Sequence, residues 1–165
     1  MYGDFLVMVD AMIGRVLKAL DEAGMTEDTL VLFSSDNGPV WYDQDVERFG
    51  HDSSGGLRGM KGDAWENGHR MPFIVRWPGK VGARSVSDQT ICFTDLLATL
   101  ASIVGVELPE NAGPDSFDIS PVLLGTQSAD VPIRGPVVIP SADGTLTIRS
   151  GPWKLIPALG SRGFS

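Results

Sequence analysis

The stretch LVLFSSDNGP, residues 30–39, joins a continuous apolar run to an acid, an amide, a glycine and a proline. The run is short for a helix and too continuous for a half-exposed strand. It therefore predicts a strand over residues 29–34 that is covered on both faces, as the strands of parallel sheets are. Asp36 and Asn37 follow at the carboxyl end of this strand, where ligands collect in α/β sheets.

Two interpretations fit Asp36 and Asn37. Asn and Asp next to glycine are typical of a tight turn in which the acid is solvated or caps the backbone. Alternatively, the carboxylate and the amide oxygen bind a hard cation, Ca²⁺ or Mg²⁺, because ligand sets made only of oxygen favour these ions over zinc. Calcium takes roughly 6 to 8 oxygens, so the second interpretation needs ligands beyond this pair.

The flanking segments indicate an α/β protein. Apolar residues recur at spacings of three and four from residue 4 onward, which predicts an amphipathic helix that ends at Gly24. Residues 72–76 predict a second strand, closed by a Pro-Gly turn. Residues 94–104 predict a second helix, capped by Thr94 or Asp95 and ended by a glycine.

A long glycine-rich segment, residues 41–71, shows no sustained periodicity and predicts a functional or disordered loop. Lys61 lies among glycines that let the backbone approach a ligand, and its ammonium suits a tetrahedral oxyanion. Arg58 and Arg70 add positive charge to this segment. The alternative is a solvated basic loop, because surface lysines are common.

Two histidines and two acids of the same loop are further candidates for a functional role. His51 and His69 are the only histidines of the chain, and each is a candidate general acid or substrate contact or a surface histidine. Asp63 and Glu66 are interpreted as a loop salt bridge or helix cap, with an acid-base pair as the alternative.

The C-terminal third has a different pattern. Residues 107–132 are rich in Pro, Gly and Asp and predict an irregular boundary between substructures. Residues 133–165 contain three short strand candidates with turn residues between them, which favours a small antiparallel sheet.

Composition excludes several classes of function. Thirteen Lys and Arg against 21 Asp and Glu give a net charge of -8, so we expect neither a nucleic-acid partner nor an anionic-membrane partner. No apolar stretch approaches the roughly 20 residues that span a bilayer. Cys92, the single cysteine, has no partner for an internal disulfide.

Four segments in order resemble landmarks of the sulfatase family, the arylsulfatase-like branch of the alkaline phosphatase superfamily. The stretch at 9–39 is similar to the family's helix-strand unit that ends in Asp-Asn-Gly. The stretch at 55–81 is similar to its Lys-Gly-x-x-x-Glu-x-Gly-x-Arg-x-Pro segment. TDLLATLASIVGV at 94–106 and IRSGPWKLI at 148–156 resemble later landmarks.

The resemblance implies roles for individual residues. Asp36 and Asn37 fall on calcium ligands, with Mg²⁺ as the alternative ion. Lys61 falls on a lysine that binds the sulfate group and stabilises its developing charge. Landmark positions that shape the loop are matched by Glu66, Gly68, Arg70 and Pro72, and Asn67 stands where the family motif usually has glycine. The residues themselves, rather than the resemblance, make His51 a catalytic candidate and Arg58 and His69 candidate substrate contacts.

The implied fold is a partial alkaline-phosphatase-like α/β fold, with helices packed on a mainly parallel sheet and followed by the start of a small antiparallel sheet. We accordingly expect residues 1–106 to be the C-terminal part of a catalytic domain. Residues 107–132 are then a linker, and residues 133–165 begin a small C-terminal subdomain.

Sulfatases that resemble this chain use a formylglycine made from a Cys or Ser in a Cys/Ser-x-Pro/Ala-x-Arg motif, and the chain lacks that motif. We therefore expect this chain to be the C-terminal part of a sulfuric ester hydrolase, and we expect the chain to be inactive alone. The alternatives are a phosphodiesterase or phosphonate hydrolase of the same superfamily and a non-catalytic anion-binding or assembly module.

The resemblance also suggests partners and location. The expected substrate is a sulfated small molecule or polysaccharide, and the expected location of the whole protein is periplasmic or secreted.

Self-association is expected from the strand count. Because only two segments are predicted to be buried strands, exposed sheet edges and apolar faces are expected to drive self-association.

Overall fold

The structure, a computed structural model, describes residues 2–165. It contains five helices and five strands within that range. The helices are α1 (Tyr2–Glu22), α2 (Asp43–Phe49), α3 (Glu66–His69), α4 (Asp95–Val104) and α5 (Ser120–Leu123). The strands are β1 (Val31–Ser34), β2 (Phe73–Arg76), β3 (Val137–Pro140), β4 (Leu146–Ser150) and β5 (Trp153–Leu155).

Helix α1 confirms the first predicted helix. Gly24 follows it with φ +66°, the left-handed conformation in which glycine ends helices. No described residue of α1 is buried, however. Of its apolar stripe, Phe5, Met8 and Met12 are exposed, whereas Val9 and Ile13 are partly covered.

Strands β1 and β2 form where the sequence predicts them, but their direction corrects the prediction of a mainly parallel sheet. They pair antiparallel, with Val31 opposite Arg76 and Ser34 opposite Phe73. A continuous apolar run reports that a strand has apolar neighbours and carries no information about strand direction. Ile74 is 59% exposed, so this two-stranded sheet is not covered on both faces within residues 2–165 either.

The three C-terminal strands confirm the predicted antiparallel sheet. Their order is β3-β4-β5, with Val137 opposite Arg149 and Ser150 opposite Trp153. Each of these strands pairs with the strand next to it in the sequence, as expected of a β-meander joined by short turns.

The segment predicted as loop 41–71 is not wholly irregular, because it contains α2 and the single turn α3. Helix α5 lies in the segment predicted as irregular, residues 107–132. Short helices of this kind are held by local turns and tertiary contacts, and a helix of one or two turns leaves almost no periodic signal.

The buried interior is small and partly polar. Its apolar members within the described chain are Met60, Ala64, Ile119, Leu123 and Val137. The polar members include Asp95 and Thr99 of α4, whereas the apolar Leu97 and Leu100 of that helix are exposed. Helix α4 therefore forms as predicted but turns a polar face toward residues 117–134.

The Asp95 carboxylate organises this polar face. It accepts hydrogen bonds from the backbone N–H groups of Cys92 at 2.7 Å and Phe117 at 3.1 Å. It also pairs with the Arg134 guanidinium at 2.5 Å. The Thr99 hydroxyl oxygen accepts a hydrogen bond from the Ile119 N–H at 3.0 Å. Hydrogen bonds therefore join α4 to the irregular segment that follows it. No helix among the described residues is long and apolar enough to cross a membrane.

Candidate functional site

The turn that contains Asp36 and Asn37 lies directly against the loop that contains Lys61. The Lys61 backbone N–H donates to the Pro39 carbonyl at 2.8 Å. One turn further along the loop, the Gly38 N–H donates to the Gly68 carbonyl at 3.2 Å. The structure thus brings together the two segments that sequence analysis selected separately.

The closeness of this contact explains two glycines. A Cβ atom at Gly38 would lie 1.6 Å from the Asn67 carbonyl oxygen. A Cβ atom at Gly68 would lie 2.2 Å from the Asp63 carbonyl oxygen. Real Cβ atoms do not approach backbone oxygens so closely, so Gly38 must be glycine for the turn to meet the loop, and Gly68 must be glycine for the loop to fold on itself.

Asn67, which stands where the family motif usually has glycine, is buried and hydrogen-bonded. Its side-chain Nδ2 donates to the Gly59 carbonyl at 2.7 Å, and its backbone N–H donates to the Arg58 carbonyl at 3.0 Å. Asparagine therefore adds one side-chain hydrogen bond to the backbone bond that glycine could also make, and both bonds close the loop on itself.

Asp63 fastens the Lys61 loop to the end of the chain. Its fully buried carboxylate accepts hydrogen bonds from the N–H groups of Met60, Phe164 and Ser165 at 2.8, 2.7 and 3.2 Å. The Ser165 hydroxyl donates a fourth at 2.6 Å. Burial raises the pKa of the Asp63 carboxyl, but the hydrogen bonds from Ser165, Met60 and Phe164 outweigh burial and leave the pKa below 3.8.

The sequence did not predict that Asp63 holds the Lys61 loop to the end of the chain. Two of the partners of Asp63, Phe164 and Ser165, are about a hundred positions away, and no local pattern links them to Asp63. The role is neither of the interpretations offered for Asp63, because its oxygens receive backbone and hydroxyl hydrogens rather than a cation.

Asp36 and Asn37 have the chemistry of a hard-cation site but supply only part of one. Asp36 is exposed, and within residues 2–165 neither side chain takes part in a hydrogen bond or ion pair. Their oxygens are therefore free to bind a cation, which fits calcium as a partial ligand set. No group of three or more His, Cys, Asp or Glu that could hold a metal occurs in the described chain.

Lys61 presents an exposed side chain next to this turn. Only its backbone is anchored, by the bond to Pro39 and by the neighbouring Met60–Asp63 contact. An exposed ammonium on an anchored backbone is available to an oxyanion and is held at a fixed point of the loop.

His51 lies in an aromatic cluster. Its ring meets Trp41 edge-on at 5.8 Å between centroids, and Tyr2 lies 4.5 Å from Trp41. The Trp41 indole N–H donates to the His51 carbonyl at 2.7 Å. His51 remains exposed, so its predicted catalytic role stays a prediction.

His69 is partly buried, and its Nε2 atom has no hydrogen-bond partner among the described residues. Burial and the charge of Lys154 lower the pKa of His69 from 6.5 to about 4, against smaller opposing effects of Glu66 and Asp63. His69 is therefore neutral at pH 7. Its predicted contact with substrate stays a prediction.

Glu66 confirms the salt-bridge interpretation. Its carboxylate forms salt bridges with the guanidinium groups of Arg149 at 2.8 Å and Arg70 at 3.4 Å. The Lys154 ammonium lies 3.9 Å away. Because Arg149 and Lys154 belong to β4 and β5, this carboxylate joins the Lys61 loop to the C-terminal sheet.

Arg58 lies over an aromatic ring of the same loop. Its guanidinium carbon is 3.7 Å from the centroid of the Trp65 ring, a cation–π contact. Arg58 itself is exposed. A substrate role for Arg58 stays a prediction.

A free acid and amide at a turn, and an exposed lysine on the loop that contacts this turn, are residue types that suit a hard cation and an oxyanion. Comparison with known proteins identifies the family. The sulfatase family model matches residues 1–106 of the chain. The chain belongs to the sulfatase family.

Relatives and solved structures extend the match past residue 106. The N-acetylgalactosamine-6-O-sulfatase of Bacteroides thetaiotaomicron is 40% identical over 161 residues, which is 93% of this chain and 30% of that protein. Human arylsulfatase A is 38% identical over 157 residues, 93% of this chain and 29% of that protein.

Structural similarity gives the same family. A sulfatase structure described with the metabolism of multiple glycosaminoglycans by Bacteroides thetaiotaomicron has a TM-score of 0.81 and 39% identity, over 92% of this chain and 32% of that chain. PsFucS1 sulfatase from Pseudoalteromonas sp. has a TM-score of 0.73 and 33% identity, over 93% and 30% of the two chains. The chain thus spans about a third of the length of the relatives it matches.

Proposed function

We propose that the whole protein containing this chain hydrolyses sulfuric esters, and that the chain supplies part of the metal site and one sulfate contact. The observation that carries the proposal is the 2.8 Å hydrogen bond from the Lys61 N–H to the Pro39 carbonyl. This bond fixes the proposed sulfate-binding lysine against the turn that contains the proposed calcium ligands. The family to which the chain belongs supports the reaction class.

Each residue has a proposed task. Asp36 and Asn37 would hold Ca²⁺ through a carboxylate and an amide oxygen, with other ligands supplied from outside the chain; a bound Ca²⁺ supplies positive charge to sulfate oxygens. Lys61 would donate hydrogen bonds to a sulfate oxygen and stabilise the charge that develops there. The chain has no formylglycine motif, so we assign no nucleophile and no covalent step to its residues.

The metal assignment is tested with the whole protein. Chelation with EGTA is expected to abolish hydrolysis of a sulfate monoester, and Ca²⁺ is expected to restore it. Asp36→Ala should raise the Ca²⁺ concentration that gives half-maximal turnover, while Asp28→Ala should not. Turnover that survives both chelation and Asp36→Ala would contradict the metal assignment.

The phosphodiesterase or phosphonate hydrolase alternative is separated by substrate. We expect the whole protein to hydrolyse an aryl sulfate faster than the matched aryl phosphate diester or phosphonate ester. The reverse preference would favour the alternative. No turnover of any ester, together with a Ca²⁺-dependent rise in melting temperature of this chain, would favour a non-catalytic anion-binding or assembly module.

A sulfated saccharide is the proposed substrate class. One relative that is 40% identical over 93% of this chain is named as an N-acetylgalactosamine-6-O-sulfatase, and another relative is named arylsulfatase A. Comparing turnover of 6-sulfated N-acetylgalactosamine with that of an aryl sulfate tests this choice. The location expected for the whole protein, periplasm or medium, is tested by cell fractionation.

Self-association is proposed for the isolated chain. The apolar stripe of α1 and the exposed face of β2 present large side chains, among them Phe5, Met12 and Ile74. Contiguous apolar surface of this kind drives association. Light scattering after size exclusion should give a mass above 17.7 kDa that rises with concentration. A constant monomer mass would contradict this proposal.

A further inference from the structure

A pocket beside Glu66 contains more positive charge than its own acids neutralise. The single carboxylate of Glu66 faces three cations, Arg149, Arg70 and Lys154, at 2.8, 3.4 and 3.9 Å. The pocket is open, has a volume of about 400 Å³ and is lined by these four residues together with Arg58 and Trp65, among others.

The lining therefore combines four cations with one carboxylate, an excess of three positive charges. This excess is notable because the chain as a whole has a net charge of -8. The nearby His69 is neutral at pH 7 and does not add to the positive charge. Asp63 is fully buried, and its carboxylate oxygens already accept hydrogen bonds from the chain end.

Partial burial makes this arrangement costly without an anion. The Lys154 side chain is 13% exposed and the Arg149 side chain 26% exposed. Burial lowers the pKa of Lys154; Glu66 opposes this effect and the Arg149 charge adds to it. Like charges held together at low exposure are stabilised by an added counter-ion.

We propose that this pocket binds an oxyanion group, the sulfate ester or carboxylate of an acidic saccharide. Arg70 and Arg58 are exposed, and an oxyanion in the pocket would accept hydrogen bonds from four cations that have a single carboxylate among them. The oxyanion is inferred from the charges alone, whereas its attachment to a saccharide rests on the proposed function. Lys61 does not line the pocket, so this site differs from the proposed site of sulfate hydrolysis.

The first test measures binding of inorganic sulfate to the 165-residue chain by isothermal titration calorimetry, at constant ionic strength set with sodium chloride. We expect saturable binding that Arg70→Gln and Lys154→Met each weaken about fivefold or more. Arg70 is exposed enough that its variant is expected to fold even if Lys154→Met does not.

A control variant completes the experiment. Lys80→Met removes an exposed lysine outside the pocket and should leave the sulfate affinity unchanged. Absence of saturable binding, equal weakening in Lys80→Met and Arg70→Gln, or unchanged binding in Arg70→Gln would each overturn the proposal.

Titration with two saccharides shows whether the oxyanion is a sulfate ester or a carboxylate. Galactose 6-sulfate and sodium glucuronate are titrated into the chain under the same conditions. Tighter binding of the first assigns a sulfate ester to the pocket, and tighter binding of the second assigns a carboxylate. Binding of inorganic sulfate but of neither saccharide would overturn the saccharide assignment, while hydrolysis by the whole protein, measured separately, tests the proposed function.

Discussion

At the scale of single residues, Gly38 determines whether the two halves of the site can meet. Gly38→Ala places a methyl group where the Asn67 carbonyl oxygen lies, at 1.6 Å, so the turn and the loop must separate. We expect a loss of about 3 kcal/mol in the free energy of unfolding, measured by urea denaturation.

Gly14→Ala is the matched control. A Cβ atom at Gly14 meets nothing within 4 Å, and the residue lies inside α1, where alanine is the better helix former. This variant should gain about 0.5–1 kcal/mol. Equal stability of the two variants would contradict the close approach at Gly38.

His69 gives a prediction about pH. Its pKa in the folded chain is about 4, below the value of 6.5 expected in the unfolded chain. Between these values the unfolded state binds more protons, so the stability from His69 is fully present above pH 6.5 and is lost as the pH falls toward 4. The loss is at most about 3 kcal/mol.

The measurement compares the free energy of unfolding of the wild type and His69→Gln at several pH values between 7 and 4. Glutamine does not titrate, so the variant should lose less stability across this range. Parallel pH profiles for the two proteins would show that His69 is not held neutral by its surroundings.

At the same scale, sequence reasoning found the residues whose chemistry is local. Asp36, Asn37 and Lys61 stand out because an acid, an amide and a lysine occur at glycine-rich turns. Asp63 did not stand out as a fastening residue, because its partners are Phe164 and Ser165. The side-chain bond of Asn67 also depends on a loop closure that no periodicity describes.

At the scale of elements, the Asp95–Arg134 pair joins α4 to the start of the C-terminal region. The two side chains are 0% and 5% exposed. Arg134→Met leaves the Asp95 carboxylate buried without its cation, so we expect a loss of about 3 to 5 kcal/mol in the free energy of unfolding.

Arg76→Met provides a comparison on the surface. Arg76 pairs with Asp21 at 3.5 Å, and both side chains are more than a third exposed. Exposed pairs contribute little, so this variant should lose under about 1 kcal/mol. Similar losses in the two variants, measured by urea denaturation, would contradict the special role of the buried pair.

Elements with strong periodicity or clear turn residues were predicted well. Helices α1 and α4 and all five strands lie where the sequence places them. The direction of β1 relative to β2 was not predictable, because hydrophobicity indicates burial and not strand direction. Helices α2, α3 and α5 were missed because a helix of one or two turns has too few residues to show a period.

At the scale of the whole molecule, the exposed surface is the feature that sequence patterns could not describe. The stripe of α1 was correctly identified as one apolar face, yet none of its described residues is buried. Periodicity shows that a face is apolar, but its neighbour depends on the other parts of the fold. The matched relatives are about three times as long as this chain.

The proposed reaction likewise belongs to the whole molecule. The chain presents Lys61 on an anchored loop beside the Asp36 turn, and the remaining groups of a sulfatase site would come from outside it. We therefore predict that Lys61 stabilises the transition state of sulfate ester hydrolysis and does not contribute to folding, since its side chain makes no hydrogen bond or ion pair within residues 2–165.

The most direct test is kcat/KM of the whole protein for an aryl sulfate, measured for the wild type, Lys61→Ala and Lys80→Ala. We predict that Lys61→Ala lowers kcat/KM by about 10²- to 10³-fold with unchanged melting temperature, because it removes a charge that stabilises the developing sulfate oxyanion. Lys80→Ala should leave kcat/KM unchanged. Undiminished kcat/KM in Lys61→Ala would contradict the proposed role of this chain in sulfate ester hydrolysis.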